Sequence, residues 1–345
     1  MSSNIQRDLK ASRYNHVHTL SDGTMLLFNF YTLKLIALRG DEAAAARQVL
    51  ADPGCGENLG HRAETVSMLS EAGMLIDESV DELAVLKRAH LQSRFGRKGL
   101  SLTIAPTLAC NFRCTYCYQP PAGHQAMSNE VQQAVVEFAE ERLCDNGSLS
   151  VTWFGGEPLL RMDIVSDLSR RLIDVCERKS VRYSASMITN GYNCDTATAD
   201  QLLKLGVRDL QITVDGPADL HDSRRKTKSG GGTFHRILDN IKSMPAEMRV
   251  SLRMNVDTAN RDRIEELLDI LVAEDLQRKV GFYIGQVQPY TDVCRDISES
   301  CVTDDRFSLL SLQTLMKMSE RGFSSAFNMP RATDCACIAD NLNGF

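Results

Sequence analysis

No stretch of this sequence is apolar for long enough to cross a bilayer. The most apolar segment, Met25 to Leu38, is broken by Asn29, Thr32 and Lys34, and falls short of the roughly 20 apolar residues that a spanning helix needs. Met1 to Lys10 is polar and lacks the apolar centre of an export signal. A basic surplus is also missing. Against 45 acidic residues stand 39 Lys and Arg, a net charge of −6, which is not the electrostatic footprint of a nucleic-acid binder. There is no run of like charges, no low-complexity tract and no fixed-period repeat. The expectation is a cytoplasmic protein with neither membrane nor nucleic acid among its partners.

An even cysteine count is absent too. Eleven cysteines without an export signal argue against a disulfide scaffold and for thiols that serve as metal ligands in a reducing compartment. Cys110, Cys114 and Cys117 cluster tightly, and Cys335 and Cys337 lie close together near the end. The scattered Cys55, Cys144, Cys176 and Cys194 are expected to be inert, since cysteine commonly serves as a small buried hydrophobe.

With 345 residues, 43% of them apolar, the chain has enough for one large domain and a small one. Two rhythms divide it. In residues 1–77, strand-like segments (His16 to Leu20, Met25 to Phe30, Leu33 to Leu38) precede helices at Asp41 to Leu50 and Arg62 to Ala72. Met74 to Ile76 is then a returning strand. This order suggests a small α+β winged-helix-like module, with a charged, partly helical linker at 78–97. From Leu100 onward strands and helices alternate six times, through Val280 to Ile284. Such alternation implies an α/β fold with a parallel sheet and right-handed crossovers, either a partial barrel or an open doubly wound sheet.

In βα folds the active site lies at the carboxyl ends of the strands. Four consecutive strand ends carry unusual residues: Cys110-x3-Cys114-x2-Cys117, Gly155-Gly156-Glu157-Pro158, Thr189-Asn190-Gly191 and Thr213-Val214-Asp215-Gly216-Pro217. Three thiolates leave one iron of a four-iron cluster without a protein ligand, and an open metal position is where a substrate binds. Zinc with His124 as fourth ligand is the competing reading, although structural zinc sites favour paired two-residue spacings. Two glycines permit close approach to a ligand, and the Glu157 carboxylate can accept from a cationic amino group. A strand-to-helix turn explains Gly-Gly-Glu-Pro about equally well, and turn chemistry competes at Asn190 and Asp215. His221, Asp222 and Arg224 read as a surface network.

The cysteine spacing, with Tyr116 before the last cysteine, resembles the signature of the radical S-adenosylmethionine (SAM) superfamily. The Gly-Gly-Glu-Pro, Thr-Asn-Gly and Asp-Gly-Pro-x3-His-Asp-x2-Arg segments resemble its SPASM-type subgroup of peptide maturases and anaerobic sulfatase-maturating enzymes. The resemblance covers about residues 98–290. It implies a partial (β/α)6 barrel, a [4Fe–4S] cluster on Cys110, Cys114 and Cys117, and SAM on the open iron. It further implies SAM contacts from Tyr116 near the adenine, from Gly155, Gly156 and Glu157 to the amino group, and from Thr189, Asn190 and Thr213 to the ribose or carboxylate. A flavodoxin or ferredoxin would supply electrons. The first 77 residues resemble modules that capture a leader peptide as an added strand, with a plain packing domain as the alternative.

The activity implied is reductive SAM cleavage and hydrogen abstraction from a peptide or protein substrate. Formylglycine formation on a sulfatase is the alternative. Residues 291–345 are expected to hold a helix and the opening of a SPASM extension that stops at Phe345, with Cys335 and Cys337 as candidates for an auxiliary cluster together with Cys294 and Cys301. That early stop raises a further alternative, a remnant that binds cluster or peptide without turnover.

Overall fold

The computed structural model describes residues 8–53, 60–95, 99–119, 126–289, 291 and 297–324. These fall into two compact units, one within residues 1–96 and the other within 97–327.

The first unit opens with β1 (Leu9–Ala11), β2 (Asn15–Thr19), β3 (Met25–Asn29) and β4 (Leu35–Leu38), continues through α1 (Gly40–Ala51) and α2 (Gly60–Glu71) to β5 (Leu75–Asp77), and closes with α3 (Glu82–Phe95). β2, β3 and β4 form an antiparallel sheet in that order. Its inner strand carries Met25 and Leu27, both fully buried against Ala46, Val49 and Leu69. The turn residue Asn29 is buried as well: its Oδ1 accepts from the Tyr31 and Thr32 amides at 2.9 Å, and its Nδ2 reaches Ser12 and Asn15. Two features add to the sequence reading. The returning strand β5 pairs with the short β1 instead of joining the three-stranded sheet. Within the stretch expected as a charged, partly helical linker lies a 14-residue helix, α3, capped by Asp81, whose Oδ1 accepts from Leu83 and Ala84.

The second unit is built from β6 (Gly99–Ile104), α4 (Asn129–Arg142), β7 (Ser148–Trp153), α5 (Met162–Arg178), β8 (Arg182–Thr189), α6 (Thr196–Lys204), β9 (Val207–Thr213), α7 (Ala218–Arg224), α8 (Phe234–Ser243), β10 (Arg249–Val256), α9 (Ile264–Ala273), β11 (Val280–Gln286) and α10 (Asp304–Glu320). All six strands are parallel and adjacent in sequence order. A doubly wound sheet requires the strand order to reverse. This one does not reverse, so right-handed crossovers place every helix on one side, and the fold is the partial (β/α)6 barrel.

Local signals explain the elements. Ser128 and Asp195 cap α4 and α6 by accepting from Val131 and Thr198. On α5, Ile164, Val165, Leu168, Leu172, Val175 and Cys176 recur at helical spacing and are buried. They face the sheet side on which Val151, Met187, Leu210, Ile212, Leu252 and Met254 are also buried, each contributing roughly 1.5–3 kcal/mol. That core is what fixes the strand ends. Among the scattered cysteines, Cys176 and Cys194 are buried as expected, but Cys144 is exposed, and Cys55 lies outside the described residues. Among the described residues, no helix is long and apolar enough to cross a membrane.

Candidate functional site

The loop after β6 carries the three clustered cysteines, and its neighbours hold it by main-chain hydrogen bonds on two sides. On one side Gly156 N and Glu157 N donate to Thr107 O (3.0 Å) and Ala109 O (2.9 Å). On the other, Arg113 N and Thr115 N donate to Lys226 O (3.0 Å) and Arg224 O (3.1 Å), Lys228 N donates to Asn111 O (2.9 Å), and Phe112 bridges Thr227. The two glycines serve this packing. A Cβ on Gly155, whose φ is +113°, would meet Thr107 O at 2.5 Å, and one on Gly156 would meet Leu108 O at 2.5 Å.

Glu157 stitches β7 to β8. Its carboxylate is fully buried. Oε1 accepts from Thr189 Oγ1 (2.7 Å) and Leu159 N (3.0 Å), and Oε2 accepts from Asn190 N (2.7 Å). Burial pushes its pKa up, and those hydrogen bonds oppose the shift. Asn190 in turn donates from Nδ2 to Asn111 Oδ1 (2.7 Å) and accepts from Tyr192 N (3.0 Å).

Behind the loop is a buried polar network. Tyr116 donates from its hydroxyl to Asp215 Oδ2 and accepts from Arg225 Nη1 (2.6 Å) and Asn255 Nδ2 (3.1 Å). Arg224 lies over the Tyr116 ring, 4.9 Å from its centre, and donates to Asp257 at 2.7 Å. Asp215 also takes the Asn255 amide. His221 Nδ1 accepts from the Asp215 amide, which makes its Nε2 the protonated nitrogen, directed at Thr233 Oγ1 (3.0 Å); Thr233 then donates to Arg225 O. Asp222 accepts from the Thr233 and Phe234 amides, opening α8. The surface reading of this segment is therefore corrected. His221 is 0% exposed, and Arg224 and Arg225 are each 7% exposed. The motif holds the cysteine loop from behind.

One cavity brings the expected residues together. Its wall includes Cys110, Cys114, Cys117, Tyr116, Gly155, Gly156, Thr189, Asn190 and Thr213. Glu157 lies behind that wall, fully buried, with its carboxylate engaged by Thr189, Leu159 and Asn190. Thr189 and Asn190 have committed their polar side-chain atoms locally. Thr213 Oγ1 makes no hydrogen bond among the described residues. The sequence reading missed Arg225, which lines the same cavity with a buried Nε that has no hydrogen-bond partner. Its sequence signal was its place as the closing arginine of the Asp-Gly-Pro-x3-His-Asp-x2-Arg segment, to which the sequence reading gave no site role.

The donor set fits a cluster with one open iron. Burial raises the thiol pKa of Cys110 and pushes that of Cys114 up to about 11, so metal has to displace these protons on binding. Among the described residues no three of His, Cys, Asp or Glu converge on a single point. A single zinc ion needs that convergence, whereas a cubane does not, because each thiolate binds its own iron. The orphaned Nε of Arg225 and the free hydroxyl of Thr213 complement a carboxylate in the same cavity. His124, Cys294, Cys335 and Cys337 lie outside the described residues.

Residues 104–271 match the family model of the Radical SAM superfamily. Members of that superfamily are enzymes that use a [4Fe–4S] cluster and SAM. Over 184 residues the chain is 30% identical to GTP 3′,8-cyclase of Listeria monocytogenes, covering 52% of each protein. It is 25% identical over 171 residues to the sporulation killing factor maturation protein SkfB of Bacillus subtilis, covering 49% of this chain and 39% of SkfB. The chain thus spans about half the length, or less, of the curated relatives it matches. A solved structure of Streptococcus suis SuiB bound to precursor peptide SuiA aligns over 92% of this chain and 72% of SuiB, at 15% identity and a TM-score of 0.47.

Proposed function

We propose, on the premise that residues 104–271 are a radical SAM domain, that this chain is a peptide-modifying radical SAM enzyme. Cys110, Cys114 and Cys117 would hold three irons of a [4Fe–4S] cluster. Arg225 and Thr213 would bind the SAM carboxylate. Gly155 and Gly156 would form the floor beside the methionine amino group, and Thr189 and Asn190 would border the ribose. Tyr116 would fix the loop from behind. When bound, the pair supplies reductive cleavage of SAM to methionine and a 5′-deoxyadenosyl radical that abstracts hydrogen, with a flavodoxin or ferredoxin as electron donor. The protein's part is to pin the loop, orient SAM and keep water and oxygen out. Such chemistry suits a reducing compartment such as the cytoplasm.

The observation that carries the reading is a cysteine loop held on both flanks, with its thiols in a cavity beside an unsatisfied arginine. Anaerobic reconstitution tests it. Wild type is expected to take up about four irons per chain, Cys110→Ala/Cys114→Ala/Cys117→Ala to lose them, and SAM to alter the EPR signal of the reduced cluster. Arg225→Gln should raise the SAM Kd at least about tenfold, the loss of a charge-assisted pair. Zinc uptake without iron would overturn the reading.

A peptide substrate is supported by SkfB among the relatives and by the first unit. Its three-stranded sheet ends in β2 and β4, which bear exposed Val17 and Leu35 and fit strand addition by a leader peptide. The likeness to GTP 3′,8-cyclase favours a second reading, a nucleotide substrate. Incubating the reconstituted full chain separately with a co-encoded precursor peptide, a sulfatase-derived peptide and GTP, then following 5′-deoxyadenosine and product mass, separates peptide maturation, formylglycine formation and nucleotide chemistry.

A further inference from the structure

Arg253 sits on β10, where the side chains alternate. Val250, Leu252, Met254 and Val256 are buried toward the helices, so Ser251, Arg253 and Asn255 point into the barrel. Arg253 lies level with Thr213 on β9 and Tyr283 on β11, and it forms part of the cavity wall. Its guanidinium lies across Gly285, where a Cβ would fall 2.6 Å from Nη2 and 2.8 Å from Cζ. The φ of Gly285 is not positive, so the backbone does not demand glycine at that position; room for the guanidinium does. Nε donates to Asn255 Oδ1 at 2.8 Å. Among the described residues no carboxylate pairs with Arg253.

The charge of the cavity wall is one-sided. Among the described residues, and apart from the cysteines, its charged side chains are Arg225 and Arg253, with no Asp or Glu. SAM carries a single carboxylate. Arg225, tied to Tyr116 within the cysteine loop, is placed to take it. A second guanidinium in a partly desolvated cavity attracts another anion. On that wall Arg253 bonds to Asn255 and lies level with Thr213, and the wall's other amides, Gln211, Gln286 and Gln288, are neutral too. One cation among neutral amides suits a single carboxylate and does not match the several charges of an oligophosphate.

We propose that Arg253, seated over Gly285, binds a carboxylate of the substrate, either an Asp or Glu side chain or the terminal carboxylate of a peptide. The proposal rests on the reading of this cavity as a SAM and peptide site.

The test uses reconstituted, SAM-loaded full chain and four small probes followed by saturation-transfer NMR: N-acetylglutamate N-methylamide, its glutamine counterpart, N-acetylalanine and methyl phosphate. The glutamate probe or N-acetylalanine should bind at least about tenfold more tightly than the glutamine probe, a charge-assisted contact, and the tighter of the two identifies the source of the carboxylate. Arg253→Gln should abolish the preference and Arg253→Lys should keep part of it. Gly285→Ala, which retains the arginine but displaces it, should weaken the preference. The SAM Kd should change less than about twofold throughout, because that affinity rests on a different arginine. A preference that survives Arg253→Gln overturns the proposal, and so does the absence of any preference in wild type. A tenfold rise in SAM Kd with the preference intact also overturns it, by giving Arg253 to SAM. Tighter binding of methyl phosphate overturns the carboxylate assignment. If wild type takes up neither iron nor SAM, it is the underlying functional reading that fails, and the two failures are thereby told apart.

Discussion

Tyr116 and Asp215 share a hydrogen bond that joins the cysteine loop to the end of β9. With Arg225 and Asn255 both donating to it, the phenolic oxygen has no bonding capacity left. Its position between Cys114 and Cys117 makes it a peg that sets the loop against the sheet. Burial raises the phenol pKa, the charge of Arg225 opposes that rise, and Asp215 adds to it.

Tyr116→Phe removes the peg and leaves buried polar atoms of Asp215, Arg225 and Asn255 without that partner. An unsatisfied buried group costs about 1–3 kcal/mol, so urea unfolding of the apo protein should show a loss in that range. Iron uptake on reconstitution should fall as well. If the tyrosine acted only as a platform for adenine, the phenylalanine ring would serve as well, and apo stability, iron content and SAM Kd would all stay at wild-type values.

Gly156→Ala brings a methyl group against the Leu108 carbonyl. Main chain cannot move aside as a flexible side chain can, so the cysteine loop or the turn after β7 has to shift, at a cost of about 1–3 kcal/mol. The expected outcome is reduced iron per chain and a lower unfolding midpoint, both measured before SAM is added. Normal iron content combined with weak SAM binding would mean that the glycine serves the ligand and not the loop.

The alternation of strands and helices was legible because a strand buried toward covering helices and an amphipathic helix leave different periodicities; the choice of a barrel over a doubly wound sheet came from the family resemblance. The apolar repeat of α5 and the alternation in β10 are written in single residues. The clustering of the four motifs at one cavity was legible for the same reason, since topology alone puts the ends of parallel strands on one side. What escaped was long-range pairing. The three residues of β1 carry no pattern that points to β5. Nothing local shows that Arg224 and Arg225 turn inward, because Arg-Arg in a polar segment looks like solvated surface until Asp215, Asp257 and Tyr116 converge on it. The hold of Glu157 on Thr189 and Asn190 was illegible for a similar reason, since these partners lie 32 and 33 residues away.

His221 makes stability depend on pH. Burial holds its pKa well below the ordinary 6.5, and the charges of Arg225 and Arg224 add to the shift. In the folded chain Nδ1 is occupied by the Asp215 amide proton, so the ring stays neutral. The unfolded chain binds a proton on this ring as pH falls through about 6.5, while the folded chain does not until a lower pH. Between those values the unfolded state holds more protons, so stability declines as pH falls, by up to about 1.4 kcal/mol per pH unit for this one group. Other charged groups facing the ring (Arg224, Arg225) do not titrate in that range. Urea unfolding between pH 7.5 and 5 should therefore show a slope that is absent in His221→Gln, whose amide can still accept from Asp215 or donate toward Thr233. An equal slope in both proteins would assign the acid sensitivity to other groups. A slope in wild type accompanied by iron loss at the same pH would tie the His221–Thr233–Arg225 chain to the hold on the cysteine loop, because the Arg224 carbonyl that receives the Thr115 amide lies on the same turn.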